Sequence, residues 1–258
     1  MVMPKVAIIA ALEREVSALI KSCRRVERDY EGRRCVFFER DELVVVCGGV
    51  GAEAARRSSE AVIALYRPTL VLSVGFAGAL DATIHAGEIF APALVVDARD
   101  GSRVEIEGGK GTLVTFMAVA SLEQKANLAQ AYDAQAVDME AAAVAAAARA
   151  HGVRFGATKV ISDELDFEVP QMDRFIDAFG RFRTSSFILC MALRPWLWRR
   201  VATLASNSRT AAKALREHLD RFPRELSQAP GGIPTPVVTP PPTPQAAAAG
   251  GLSARGGE

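Results

Sequence analysis

The sequence predicts an α/β domain with a mixed, largely covered central sheet flanked by helices. Short apolar runs alternate along the chain with segments that have helical spacing. Several runs are apolar at successive positions, as over residues 6–11, which is typical of strands buried on both faces. The chain has 258 residues, half of them hydrophobic, so it can bury a full core. We therefore expect helices on both faces of the sheet.

The individual elements follow in chain order. A strand over residues 6–11 leads into a helix over residues 13–22, whose apolar residues recur at helical spacing. Later apolar runs predict strands, and two alanine-rich segments predict helices, before further helices extend to about residue 219. The strands are residues 34–39, 42–47, 70–74, 89–96, 111–119, 136–138 and 155–161, and the helices are 52–66 and 141–150. The folded domain spans residues 1–222, and residues 223–258, rich in Pro, Gly and Ala, form a disordered tail.

Composition argues against several classes of function. With 31 basic and 30 acidic residues the net charge is +1, which does not suit a nucleic-acid-binding surface. The four cysteines are scattered without a C-x-x-C pair, so they predict neither disulfides nor a metal site. No apolar run reaches the ~18 residues of a membrane span, and the N-terminus lacks the features of a signal peptide. We expect a cytoplasmic protein.

Sites in such sheets gather at the carboxyl ends of strands, and here several ends carry polar or glycine residues. Glu15 follows the first strand, where it can face a site or stabilise a helix N-terminus. The turn with Gly49 and Gly51 can cradle an anion or serve only as a tight turn. Gly75 and Gly78 follow another strand and allow either close approach to a ligand or tight packing.

Two further strand ends carry acidic residues. Asp138 and Glu140 precede the alanine helix, and Asp163 follows an apolar strand. Each pattern also suits a helix cap or a favourable helix dipole. Taken one by one, these motifs leave the functional and the structural interpretations open.

In this order, however, the segments AIIAALEREV, GGVG, SVGFAGAL, AVDMEAAAV and KVISDE resemble the nucleoside phosphorylase/nucleosidase superfamily. The likeness covers residues 4 to about 166 and is strongest to 5'-methylthioadenosine/S-adenosylhomocysteine nucleosidases. It implies a three-layer sandwich that cleaves the N-glycosidic bond of a small-molecule purine nucleoside, with water or phosphate as co-substrate. It also implies a homodimer that needs no metal and no organic cofactor.

By the same resemblance, Asp163 matches the general acid that protonates the purine ring. Ser162 and the backbone near Ile161 would hold the base. Glu140 matches the carboxylate that accepts a hydrogen bond from the ribose 2'-hydroxyl, and Met139 would pack against the sugar. The chemistry needs these roles because the leaving base must be neutralised while the sugar becomes cationic.

The nucleophile is less well defined by the resemblance. Glu15 matches the residue that binds and activates water in nucleosidases. Phe76 stands where phosphorylases carry a serine that contacts phosphate, which favours water. A different anion site, formed by Arg14 and the backbone of Gly49 and Gly51, is the alternative.

The chain departs from ordinary nucleosidases in two regions. The stretch between Gly78 and Asp138 is short, and residues 187–198 form an apolar segment that ends near Trp196 and Trp198. Both features resemble the hopanoid-associated phosphorylases, and this resemblance implies removal of adenine from adenosylhopane. The apolar segment is a core helix, a dimer contact or a peripheral contact with a membrane surface. A catalytically silent nucleoside-binding module is a third alternative, against which the three intact carboxyl residues speak.

Overall fold

The computed structural model describes residues 5–167 and 198–228, with side chains in the last helix from residue 202 to 219. Within these residues, eleven strands form one sheet. They are β1 (Val6–Ala10), β2 (Arg24–Tyr30), β3 (Arg33–Arg40), β4 (Leu43–Cys47), β5 (Leu70–Ala79), β6 (Ile89–Phe90), β7 (Leu94–Asp97), β8 (Arg103–Glu105), β9 (Thr112–Thr115), β10 (Ala136–Asp138) and β11 (Arg154–Asp163). The helices are α1 (Ser17–Ile20), α2 (Ala52–Tyr66), α3 (Leu122–Tyr132), α4 (Ala141–Ala150) and α5 (Trp198–Gln228).

The sheet is mixed, as predicted. Its strand order is β2-β3-β4-β1-β5-β10-β9-β7-β8, and β11 pairs with β5 and β6. The strands β4, β1, β5 and β11 run parallel, and so do β7, β9 and β10. Antiparallel pairs join β2 to β3, β3 to β4, β7 to β8, β6 to β11 and β10 to β5.

The long strand β5 connects the two parts of the sheet. Its first half pairs with β1, as in the register Val6 with Leu70. Its last two residues pair with β10 instead, Gly78 opposite Val137. On its other edge, β11 follows it almost from end to end. The second half of β5 therefore meets both β10 and β11, which carry the acidic motifs predicted to be functional.

Helices cover both faces of the sheet. On one face, α2 packs on β1 and β4 at alternate residues such as Ala7 and Val44, and α4 packs on β5 and β11. Small side chains let these two helices lie close together, since most of the α4 alanines are buried. On the other face, α1 and α5 cover Ile8 and Val45 through residues such as Leu19 and Leu215. The apolar strands are therefore buried on both sides, which explains their lack of alternation.

The structure corrects several predicted elements. The helix over residues 13–22 is a single turn, α1. The strand predicted to stop at residue 74 continues to the end of β5, and the strand over residues 89–96 is broken into β6 and β7, with Pro92 between them. The strands β2 and β8 and the helix α3 were not predicted.

The C-terminal part differs as well. Helix α5 continues to Gln228, past the predicted boundary at residue 222. The rest of the predicted tail lies outside the described residues, as does the apolar segment 187–198 apart from Trp198, the first residue of α5. None of the helices in residues 5–167 and 198–228 is long and apolar enough to cross a membrane.

Candidate active site

The second half of β5 forms the floor of the site, and its glycines leave room for acidic side chains. A Cβ atom placed on Gly75 would lie 3.0 Å from Glu15 Oε2. A Cβ atom on Gly78 would lie 2.7 Å from Asp163 Oδ2, too close for a real contact. The tight packing foreseen for these glycines is therefore packing against two carboxyl groups.

Glu15 is buried, while its neighbours Glu13 and Arg14 are exposed. Its Oε2 accepts a hydrogen bond from the Leu12 N–H at 3.2 Å. Burial raises the pKa of Glu15 above its ordinary value, against smaller opposing effects that include the charge of Lys159. Helix α1 has no acidic residue in its first turn, so Glu15 does not serve that helix's dipole.

Asp138 and Lys159 form a fully buried ion pair beside this residue. The Lys159 ammonium lies 2.8 Å from Asp138 Oδ2 and donates to Ser73 Oγ at 3.0 Å. Asp138 also accepts hydrogen bonds from Thr115 Oγ1 at 2.6 Å and from the Ala141 N–H at 2.8 Å. Asp138 thus binds the first N–H of α4 from two positions before the N-cap residue, so it is not itself the N-cap that its motif suggested. Burial opposes the charge on Lys159, but the surrounding carboxylates, Asp138 first, raise its pKa.

Glu140 is held differently from Asp138. Its Oε1 accepts a hydrogen bond from the Gly51 N–H at 2.8 Å, and its Oε2 accepts one from the Met139 N–H at 3.3 Å. Although it is the N-cap residue of α4, its side chain makes no capping hydrogen bond to that helix. Burial, reinforced by the charge of Asp138, raises the pKa of Glu140 to about 7. The carboxyl group is thus poised to change its charge near neutral pH.

Asp163 ends β11, and both of its carboxyl oxygens are engaged. Ser162 Oγ donates to Oδ1 at 2.8 Å, and Lys125 Nζ lies 2.6 Å from Oδ2. No helix follows within residues 164–167, so the side chain does not serve as the helix cap that its motif also suggested. Residue 163 is buried, and so is Ile161 two positions earlier on the strand.

Two other predicted contact residues and a cavity complete the surroundings. Phe76 is half-buried and packs against the cluster under α1 and α5, and Met139 is half-buried at the start of α4. A cavity of about 210 Å³ adjoins Glu15 and is lined by residues of α1 and α5. Glu15 is therefore the carboxyl residue of the cluster that borders this open space.

The backbone groups predicted as an anion site already have acceptors. The Gly49 N–H donates to the Ala11 carbonyl at 3.0 Å, and the Gly51 N–H donates to Glu140. Arg14 is exposed. An anion bound by these glycines would have to displace both hydrogen bonds.

The sequence around these residues is similar to that of a known protein family. A model of the family described as the phosphorylase superfamily matches residues 5–117 and 111–193. The chain belongs to the phosphorylase superfamily. The carboxyl residues described above all fall within the matched ranges.

Curated relatives match a shorter stretch. A 5'-methylthioadenosine/S-adenosylhomocysteine nucleosidase from Halalkalibacterium halodurans is 32% identical over 91 residues, and one from Buchnera aphidicola is 26% identical over 91 residues. Each alignment covers 34% of this chain and 39% of the relative. The matched stretch is thus about two-fifths of the length of these relatives.

Several solved structures share the fold over most of the chain. A 5'-methylthioadenosine nucleosidase from Arabidopsis thaliana gives a TM-score of 0.67 at 18% identity, covering 89% of this chain and 98% of that one. A futalosine hydrolase from Helicobacter pylori gives a TM-score of 0.60 at 18% identity, covering 85% and 98%. At sequence identities this low, the similarity shows a shared fold and not a shared function. The three-layer α/β architecture is confirmed.

Two residues of the site were missed in the sequence. Lys159 lies in an apolar strand, and a lysine at the centre of such a strand is the signal that could have revealed a buried ion pair. Lys125 lies on α3, which the sequence did not predict, and its partner is 38 residues away. A lysine on a helix usually faces solvent, so nothing local distinguished it.

Proposed function

We propose that this chain cleaves the N-glycosidic bond of an adenosine-type nucleoside with a modified 5' position and releases adenine. One observation carries the proposal. The carboxyl groups of Glu15, Glu140 and Asp163 converge, buried or half-buried, around the second half of β5 and its partners β10 and β11. Burying several acidic groups together is costly, and such clusters occur where a ligand or a reaction uses them.

The proposed reaction begins at the base. Asp163 gives its proton to a ring nitrogen of the purine, the glycosidic bond breaks, and its electron pair stays with the base. Ser162 steadies the acid beside the purine through its hydrogen bond to Oδ1, whereas the Ile161 N–H already donates to the Glu88 carbonyl and is not free to hold the base. Proton donation of this kind typically contributes about 10²–10⁴-fold to the rate.

The sugar is bound by the residues that follow β10. Glu140 accepts a hydrogen bond from the 2'-hydroxyl, and its negative charge stabilises the cationic sugar. Met139 packs against the ribose. The hydrogen bond from the Gly51 N–H fixes the direction of the carboxylate.

Water is the proposed nucleophile. Burial raises the pKa of Glu15 towards neutral pH. A pKa shifted in this direction suits a base that takes a proton from water. Phe76 offers no hydroxyl to a phosphate, and the N–H groups of Gly49 and Gly51 already have acceptors.

Phosphorolysis, as in the hopanoid-associated phosphorylases, is the second candidate. The observation that favours it is Lys159, a buried cation close enough to Glu15 to influence its charge. Against it, the ammonium is already paired with Asp138 and hydrogen-bonded to Ser73. We therefore place water first.

The test is direct. Purified protein is incubated with methylthioadenosine, adenosylhomocysteine, adenosine and an adenosyl-lipid, with and without phosphate, and free adenine is quantified by chromatography. We expect adenine from at least one 5'-modified substrate, and a loss of about 10²–10⁴-fold with Asp163→Asn. Binding of these nucleosides without any adenine release would instead indicate a silent binding module.

A further inference from the structure

Lys125 is a buried cation that the proposed reaction does not yet use. It lies on α3, a helix in which only this residue and Leu128 are buried. Its side chain is 2% exposed, and its ammonium lies 2.6 Å from Asp163 Oδ2. The same ammonium donates to the Glu164 carbonyl at 2.7 Å. Helix α3, which is distant from β11 in sequence, thus places one positive charge at the end of that strand.

These contacts fix the orientation of Asp163. Lys125 holds one carboxyl oxygen and the Ser162 hydroxyl holds the other. The carboxyl group packs directly against the backbone of Gly78, since a Cβ atom there would lie 2.7 Å from Oδ2. The hydrogen bond to Glu164 also anchors the chain just after the acid. Burying an ammonium is unfavourable unless its hydrogen-bond partners compensate for the lost hydration. A buried lysine beside the acid therefore calls for a functional explanation.

We propose that Lys125 is the positioning residue of Asp163, and this rests on the proposed function. The step starts with Asp163 as the protonated acid; its proton passes to the purine nitrogen, and the carboxylate that remains is paired with the Lys125 ammonium. The Lys125 ammonium compensates that developing charge where little water can reach. The electron pair of the broken glycosidic bond stays on the protonated base, and no further reactant is required.

The expected size of the effect follows from other preorganised donors. Removing one fixed donor that faces a developing negative charge typically costs about 10²–10³-fold in kcat. Because Lys125 acts through Asp163 and does not touch the sugar, the loss should fall on kcat, with KM changed little.

A double-mutant cycle tests the proposal, with adenine release from the best nucleoside substrate as the readout. Lys125→Met should lower kcat by about 10²-fold in the wild-type background. In the Asp163→Asn background the same change should cost less than about 3-fold, because the group through which it acts is gone. Lys125→Arg, which keeps the charge, should retain part of the activity.

Each outcome has a defined meaning. Equal losses in both backgrounds, or no loss in the wild-type background, would overturn the role of Lys125 while leaving the proposed function intact. If the wild-type protein releases adenine from none of the nucleosides, the proposed function fails and the role of Lys125 fails with it. Circular dichroism checks folding, and should Lys125→Met not fold, Lys125→Gln, which keeps an uncharged donor, takes its place in the cycle.

Discussion

At the residue scale, Glu140 is the group whose charge depends most visibly on its surroundings. Its pKa rises to about 7 because the protein removes water from the carboxyl group and because Asp138 is close. The resemblance carried by the D-M-E-A-A motif implies that it binds the sugar, and this role stays a prediction. The sequence did not predict Lys159, whose ammonium balances these carboxylates, because pairing between β10 and β11 residues depends on strand order rather than on local pattern.

The raised pKa has a consequence for stability. Between pH 4.5 and about 7, Glu140 keeps its proton in the folded state and loses it in the unfolded chain. The folded state then binds more protons, so stability falls as pH rises through this window and levels off above it. Glu140→Gln removes this dependence, because glutamine carries no titrating proton in this range.

Urea unfolding of the wild type and Glu140→Gln at pH 5 and pH 8 measures the effect. From pH 5 to pH 8, the free energy of unfolding of the variant should rise relative to that of the wild type by on the order of 1–3 kcal/mol. A difference between the two proteins that is the same at both pH values would show that Glu140 titrates normally in the folded state.

Glu140 should also distinguish ribose from deoxyribose. Glu140→Gln replaces a charged acceptor of the 2'-hydroxyl hydrogen bond by a neutral one, so most activity on the ribonucleoside should be lost. A 2'-deoxy substrate should be poor for the wild type and lose little more in the variant. Steady-state kinetics with the ribonucleoside and its 2'-deoxy analogue tests this prediction. An equal loss of activity on both substrates would mean that the carboxylate does not contact the 2'-hydroxyl.

At the element scale, β5 organises the site. The sequence predicted its buried first half from a continuous apolar run, and ended it too early because Gly75 and Gly78 are unfavourable in strands. The structure explains these glycines by the acidic side chains that pack on them. The edge strand β2 was missed because its residues are mostly charged, and α3 was missed because it buries only two residues. Neither element carries a strong periodic apolar signal.

This account of β5 predicts different outcomes for two glycine substitutions. Gly78→Ala places a Cβ atom 2.7 Å from Asp163 Oδ2, and Gly156→Ala places one 2.7 Å from Leu72 Cδ2. Both should destabilise the fold by about 1–3 kcal/mol. Only Gly78→Ala displaces the proton donor, so it alone should lower kcat, by about 10²-fold.

Thermal unfolding and adenine release, measured on both variants, provide the comparison. Gly156→Ala is the matched control because it crowds the same pair of strands, β5 and β11, without touching a carboxyl group. Should the two variants lose activity in parallel, crowding of the sheet rather than displacement of Asp163 would account for the loss.

At the scale of the whole molecule, the sheet brings distant segments to one place. Glu15 follows β1, Glu140 follows β10 and Asp163 ends β11, and each of these strands pairs with β5. This convergence was predictable in outline because strand ends carry sites in α/β sheets. The choice of nucleophile could not be predicted from the sequence. It depends on which N–H groups and cations are already paired in the folded protein.

Glu15 provides a check on that choice. If water attacks the sugar, Glu15→Gln removes the base that takes its proton, and the loss of kcat should be comparable to that of Asp163→Asn, about 10²–10⁴-fold. If phosphate attacks, no proton needs to be removed and Glu15→Gln should be far milder. Initial rates of the two variants, at fixed phosphate concentrations, separate these cases.

In the proposed reaction, the chain breaks the bond between adenine and its sugar with water. Mass spectrometry of both fragments, after complete conversion of the best substrate in phosphate-free buffer and again with added phosphate, measures this directly. We expect equal amounts of adenine and free sugar in both conditions. A sugar 1-phosphate as the main product, with no adenine formed when phosphate is omitted, would contradict hydrolysis, and intact nucleoside in both would contradict cleavage itself.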